Sequence, residues 1–85
     1  MNDNILDVLI FLDYHVQEGY TEAFFPKAFS DSEKEEIKLA VINERQWLED
    51  EELEMYDVIS NGEEGTLFSW GPHKKEYLSF FYDFI

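Results

Sequence analysis

Hydrophobic side chains recur at every third or fourth position between residues 2 and 19, which predicts a helix with one apolar face. Asn2 or Asp3 can cap its start, because their side chains accept the free amides of the first turn, and Gly19 is a typical residue just past a helix end. The run Val8–Leu12 is also compatible with a buried strand, but the length of the pattern and the caps favour a helix. The apolar stripe consists of Ile5, Val8, Leu9, Leu12 and Val16.

A second helix is predicted after residue 30, where the capping-box spacing S-x-x-E occurs twice. Ser30 precedes Glu33 by three positions, and Ser32 precedes Glu35 in the same way. We expect this helix to end between residues 49 and 52, where successive acids oppose the negative end of the helix dipole. Its apolar face consists of Ile37, Ala40, Val41, Trp47 and Leu48.

The segment between these helices is less regular. Phe25 precedes Pro26, which disfavours helical geometry at Phe25, and Pro26 itself can begin a single turn. We therefore expect a short helix or an irregular connector that places Phe24, Phe25 and Phe29 on the core.

Two runs rich in β-branched and aromatic residues follow and predict a β-hairpin. Asn61 and Gly62 tolerate positive φ and mark the turn, with Gly65 as a second candidate, and we expect a loop longer than two residues. The strand-forming residues are Tyr56, Val58 and Ile59 in the first run and Thr66, Leu67, Phe68 and Trp70 in the second.

The last segment begins where Gly71 and Pro72 interrupt the second strand. Pro72 fits the first turn of a helix, and a helix is the favoured interpretation. Aromatic residues also fit strands, so a third strand remains the alternative. A helix would place one set of apolar residues on one side, namely Tyr77, Leu78, Phe81, Phe84 and Ile85.

The order of these elements predicts an α+β fold in one domain spanning residues 1–85, with two to three helices followed by a β-hairpin and a C-terminal helix. That order is similar to the winged-helix topology. In a winged helix, the segment that enters DNA would here be SDSEKEEIK, whose acids would face phosphates. The usual use of that fold is therefore not expected.

Charge is the most unusual property of the chain. Twenty acids and six bases give a net charge of -14. Such a charge argues against direct binding to nucleic acid or to anionic membranes, and favours a positively charged partner. Solubility alone is the simpler explanation of the charge. Hydrophobic residues at 45% still favour a folded core, and the absence of cysteine and of a secretory signal suggests the cytoplasm.

Recognisable chemistry is missing from the sequence. There is no phosphate-binding glycine loop and no nucleophile motif. The acidic run that starts at Asp50 lacks the glycine that a calcium loop needs at its sixth position, and His15 and His73 have no cysteine to join them on zinc. We therefore expect no cofactor, no metal site and no enzymatic activity.

An acidic tract is the candidate functional site, because it combines dense charge with aromatic residues that can anchor a contact. The candidate partner-binding residues are Glu44, Glu49, Asp50, Glu51, Glu52, Glu54, Asp57, Glu63 and Glu64, with the aromatic residues Trp47 and Tyr56. Carboxylates on helices and strands repeat every 5 to 7 Å or so, the same order as charge along a nucleic acid. The leading hypothesis is a non-enzymatic inhibitor that mimics DNA or RNA, of the phage anti-restriction or anti-CRISPR type.

Two other functions fit the same sequence. A nuclease-toxin immunity protein would use similar contacts. A regulatory or adaptor module would instead bind through an aromatic patch around Phe24, Phe25 or Trp70, with the acids serving solubility. Exposed aromatic residues also leave a homodimer open.

Overall fold

The computed structural model describes residues 3–45, 53–71 and 75–85, and these form an α+β domain, as predicted. Short strands before and after the hairpin join it in one four-stranded sheet and alternate with the helices in the chain, so the resemblance to a winged helix is limited to the order of helices and hairpin. The elements are α1 (Asp3–Gln17), β1 (Glu22–Phe25), α2 (Asp31–Glu44), β2 (Glu54–Ser60), β3 (Glu63–Ser69), α3 (Lys75–Leu78) and β4 (Asp83–Phe84).

Within the described residues the sheet has four antiparallel strands in the order β1-β3-β2-β4. Because side chains alternate along a strand, directly paired residues share a face. The helix face packs against α1 and α2 and includes Ala23, Phe25, Met55 and Phe68. The C-terminal face packs against Leu78 and Tyr82 and includes Phe24, Tyr56, Val58, Leu67 and Phe84.

Helix α1 buries four residues of the predicted stripe, since Ile5, Val8, Leu9 and Leu12 are all at most 4% exposed, and the fifth, Val16, is half-buried. It ends as predicted at Gly19, whose φ is 84°. The Gly19 amide donates to the Val16 carbonyl and the Tyr20 amide donates to the His15 carbonyl, at 3.1 and 3.0 Å. This is the Schellman pair of hydrogen bonds, which satisfies carbonyls that the helix leaves free.

Helix α2 begins with the first of the two predicted capping boxes. The Glu33 amide donates to Ser30 Oγ, and the Ser30 amide donates to the Glu33 carboxylate. The predicted end is wrong, because the helix stops at Glu44 and Arg45 has extended backbone angles. Trp47 and Leu48, predicted on its apolar face, lie outside the described residues.

The segment predicted as a connector or short helix is instead strand β1, which pairs with β3. Phe25 takes the extended geometry that a following proline favours. Phe24 and Phe25 consequently point to opposite faces of the sheet, where each packs against a different part of the core. The strand was missed because its four residues carry little pattern and its partner lies more than forty positions later in the chain.

The hairpin is confirmed, but its loop is shorter than expected. Ser60 pairs directly with Glu63, so Asn61 and Gly62 form a two-residue turn. Both have positive φ, 53° and 81°, which gives the primed turn that matches the twist of the strands. Gly65 is not in the turn and lies within β3.

The C-terminal segment combines the two predicted alternatives. The helix is a single turn, α3, and the chain then reverses to add the two-residue strand β4 to β2. The Ile85 amide extends this pairing by donating to the Asp57 carbonyl at 2.9 Å. The predicted C-terminal helix is therefore present, but it is shorter than expected, since Phe84 lies in a strand and Ile85 follows it.

Candidate functional site

The structure describes part of the predicted acidic tract. Trp47, Glu49, Asp50, Glu51 and Glu52 lie outside the described residues, and no geometry is assigned to them. The described members are Glu44, Glu54, Tyr56, Asp57, Glu63 and Glu64.

These described acids lie at separate places on the domain. Glu63 and Glu64 are exposed where β3 begins beside the turn, whereas Glu54 is exposed at the opposite end of β2. With about 3.3 Å per strand residue, the two ends of β2 are roughly 20 Å apart. Glu44 is exposed at the end of α2. The described part of the tract is therefore spread along the sheet and does not form one cluster.

The sheet does place acids in two cross-strand rows, each of which includes an acid outside the predicted tract. Ser69 pairs with both Glu22 and Glu54, so those acids flank it on the C-terminal face. In this row, and in the second row described next, the two flanking acids are separated by two strand spacings, about 10 Å between their backbones.

The second row lies on the helix face, near the turn. Ile59 pairs with Glu64 on one side and with Asp83 on the other, and both acids are exposed. Neither Glu22 nor Asp83 was predicted. Neither EAFF nor DF alternates between polar and apolar residues, and both segments are too short to be assigned as strands from periodicity.

Asp57 has a structural partner. It lies on the helix face, and its Oδ1 atom is 2.9 Å from Nζ of Lys34 on α2. That oxygen is buried and makes no hydrogen bond of good geometry, so the lysine charge compensates it. Asp57 therefore links α2 to the sheet through a partly exposed ion pair.

The two half-buried tyrosines of the C-terminal face lie close to the first acidic row. Burial, and then the charge of Glu54, raise the pKa of Tyr56 above its ordinary value. Burial, and then the charge of Glu22, raise the pKa of Tyr82 in the same way. Tyr56 also contacts the ring of Phe84, with centroids 5.2 Å apart. Both phenols are therefore neutral parts of the core under ordinary conditions.

The aromatic residues expected to form a binding patch are held by the fold. Trp70 is half-buried, and its Nε1 donates to the Tyr20 carbonyl at 3.0 Å. Phe24 and Phe25 are half-buried against the two core clusters. The most exposed rings lie instead after α3, where Phe80 is 83% and Phe81 is 64% exposed.

Basic residues in the described part of the chain contact other groups of the protein, although Lys27 and Lys75 are themselves exposed. Arg45 Nε donates to both carboxylate oxygens of Asp13 at 3.1 and 2.9 Å, and Lys34 pairs with Asp57. Lys75 lies over the ring of Phe84, 5.1 Å from its centroid. In contrast, many carboxylates face solvent, namely those of Asp7, Glu18, Asp31, Glu35, Glu36, Glu44, Glu54, Glu63, Glu64, Glu76 and Asp83.

Among the described residues no three His, Asp or Glu side chains come together as a metal site. His15 is half-buried, and its Nδ1 lies 2.8 Å from the Phe11 carbonyl oxygen. No helix in the described part of the chain has the length and hydrophobicity to cross a bilayer. Comparison with protein-family models, curated proteins and solved structures finds no match to this chain.

Proposed function

We propose that this protein is a non-enzymatic inhibitor that binds a basic nucleic-acid-binding protein and occupies its DNA- or RNA-binding surface. Its action would be cytoplasmic, of the phage anti-restriction or anti-CRISPR type. One observation carries the proposal: the chain has a net charge of -14, and most of the described acids face solvent while Lys34 and Arg45 are paired within the fold.

The folded sheet supports this proposal because it fixes the spacing of charges. The pairing of Ser69 with its two neighbours sets the distance between Glu22 and Glu54. A basic groove that normally holds phosphates meets carboxylates already in place, so less ordering is required on binding. Complementary potentials of this kind speed association and make it strongly dependent on salt.

The same charge distribution fits a nuclease-toxin immunity protein. Both functions would block a basic surface, and the contact chemistry would be alike. A toxin gene beside this one would favour immunity, whereas phage genes around it would favour an anti-defence role.

A competition experiment tests the proposal. Basic proteins are captured from the host cell with the tagged chain, purified, and loaded with a fluorescent duplex or single-stranded RNA. We expect the added protein to release the nucleic acid, with an apparent affinity that falls steeply as salt is raised. A stable complex that holds the nucleic acid and this protein together would contradict the proposal.

Charge variants provide the matched control. E54Q/E63Q/E64Q removes three charges from the sheet, whereas D7N/D31N/E36Q removes three exposed charges from the helices. We expect the sheet variant to lose about tenfold in affinity near 0.15 M salt and the helix variant to lose roughly threefold or less. Equal losses would mean that net charge alone drives binding. A loss of less than about twofold in both would rule out electrostatic steering by these acids.

A further inference from the structure

A tight turn after α3 presents aromatic rings to solvent. The Phe80 amide donates to the Tyr77 carbonyl, and the Phe81 amide donates to the Leu78 carbonyl, at 3.2 and 3.0 Å. Tyr77, Phe80 and Phe81 are 45, 83 and 64% exposed, and we call these three residues the aromatic turn. The rings of Tyr77 and Phe81 are in contact, with centroids 5.5 Å apart.

The aromatic turn is anchored from below. Leu78 is fully buried against Val58 and Leu67, and the Tyr82 ring stacks on Phe24 with centroids 6.3 Å apart. The outward rings therefore lie on a segment that Leu78 and Tyr82 fix to the core. Because this support limits the freedom of the turn, the entropy cost of docking the rings into a partner is reduced.

Acids adjoin the aromatic turn in the chain. Glu76 directly precedes Tyr77 and is exposed, as is Lys75 before it, and Asp83 follows the turn and is exposed on the helix face of the sheet. Tyr82, which supports the turn, lies close enough to Glu22 for the charge of that acid to raise the tyrosine pKa. An apolar centre with a charged rim is the usual arrangement of a binding hot spot.

We propose that the aromatic turn docks into an apolar depression ringed by Lys and Arg on a partner protein. This inference rests on the proposed function, since the basic rim belongs to the same partner. The acids around the turn would meet the basic rim, while the rings fill the depression and slow dissociation.

A second copy of the chain fits this surface poorly. Given that a fully buried Phe or Tyr accounts for about 150–250 Å², the three rings offer roughly 400 Å² of accessible surface. A stable dimer needs about 800 Å² on each side, so acidic surroundings would have to be buried against identical acids. Anionic lipid is disfavoured by the same charge.

Two synthetic helical peptides with equal numbers of lysines test the inference. In one peptide the surface positions between the lysines carry leucine, and in the other the same positions carry serine. We expect the protein to bind the Lys/Leu peptide about tenfold more tightly near 0.15 M salt, because the apolar side chains engage the rings. The F80S/F81S variant should lose this preference and retain its affinity for the Lys/Ser peptide within roughly twofold.

The control variant is L6S/I10S, which removes two exposed apolar side chains from α1. It should keep the preference for the Lys/Leu peptide, and circular dichroism should show that both variants remain folded. If F80S/F81S keeps the preference for the Lys/Leu peptide, or if the unaltered protein shows no such preference, the docking of the aromatic turn is overturned. The proposed charge-based function would still stand in either case. Weak, salt-insensitive binding of both peptides would overturn both proposals. Dimerisation or binding to phosphatidylcholine vesicles that depends on Phe80 and Phe81 would show a different occupant and so overturn this inference.

Discussion

The phenyl ring of Phe24 lies against the backbone of Gly65, so that a Cβ atom at position 65 would come within 2.6 Å of Phe24 Cζ. The same atom would also collide with the carbonyl oxygen of Phe25. Glycine at position 65 therefore allows the backbone of β1 and the Phe24 ring to pack directly against β3.

Gly65→Ala should lower the free energy of unfolding by about 2 kcal/mol, because the ring and the strand backbone must both shift to admit the methyl group. Urea denaturation followed by fluorescence measures this. Gly62→Asn is the comparison for backbone strain without a clash, since nothing lies within 4 Å of a Cβ there but its φ of 81° still strains any residue other than glycine, asparagine least. We expect it to cost less than Gly65→Ala. A Gly65→Ala protein as stable as the unaltered one would contradict the close packing.

Two serines of the sequence have equivalent capping-box spacing, and the structure shows that only one of them caps α2. Ser30→Ala removes the acceptor for the Glu33 amide and should cost about 1 kcal/mol. Ser32→Ala changes a residue inside the helix, where alanine is favoured, and should cost nothing or stabilise slightly. Thermal unfolding of the two variants separates these outcomes, and equal destabilisation would contradict the assigned cap.

The ion pair between Lys34 and Asp57 gives a third prediction. Lys34→Met retains the apolar stem but leaves the buried Oδ1 of Asp57 without its cation, and should lower the free energy of unfolding by about 1–2 kcal/mol. The double variant K34M/D57N should recover part of this loss, because a neutral amide is easier to bury. Chemical denaturation of the four proteins in the cycle gives the coupling. A coupling near zero would show that the pair is a surface contact without structural effect.

Alkaline pH should destabilise the protein through its half-buried tyrosines. Burial, and then Glu22, raise the pKa of Tyr82, so the folded protein retains a proton that the unfolded chain has already released. The free energy of unfolding should be unaffected well below pH 10, the ordinary tyrosine pKa, and should fall as the pH rises through the higher pKa of the folded state. In Tyr82→Phe this fall should be shallower, and in Y56F/Y82F shallower still. Denaturation curves between neutral pH and about pH 11 measure the slope, and an unchanged slope in both variants would contradict the prediction.

Elements with strong local signals were predictable from the sequence. The stripe of α1, its glycine end, the Ser30 box and the Asn61–Gly62 turn depend on neighbours a few positions away. Strands β1 and β4 depend on partners that are distant in the chain or on segments too short to show a period. Tertiary pairing determined these segments, and local propensity did not.

The candidate site was less predictable for the same reason. The sequence identifies how many acids are present, but it does not show that Asp57 pairs with Lys34 or that Glu22 and Glu54 flank Ser69 from opposite sides. Phe80 and Phe81 are exposed because the chain reverses after α3. The periodic pattern of the sequence predicted instead that the helix continues through these residues.

The position of β3 in the sheet has a consequence for synthesis on the ribosome. Strand β1 pairs with β3, so residue 22 has no backbone partner until residue 69 has left the exit tunnel. A nascent chain that has completed α1 and α2 therefore carries Phe24 and Phe25 without the strand that covers them, and this interval is when chaperones or proteases have access to the protein.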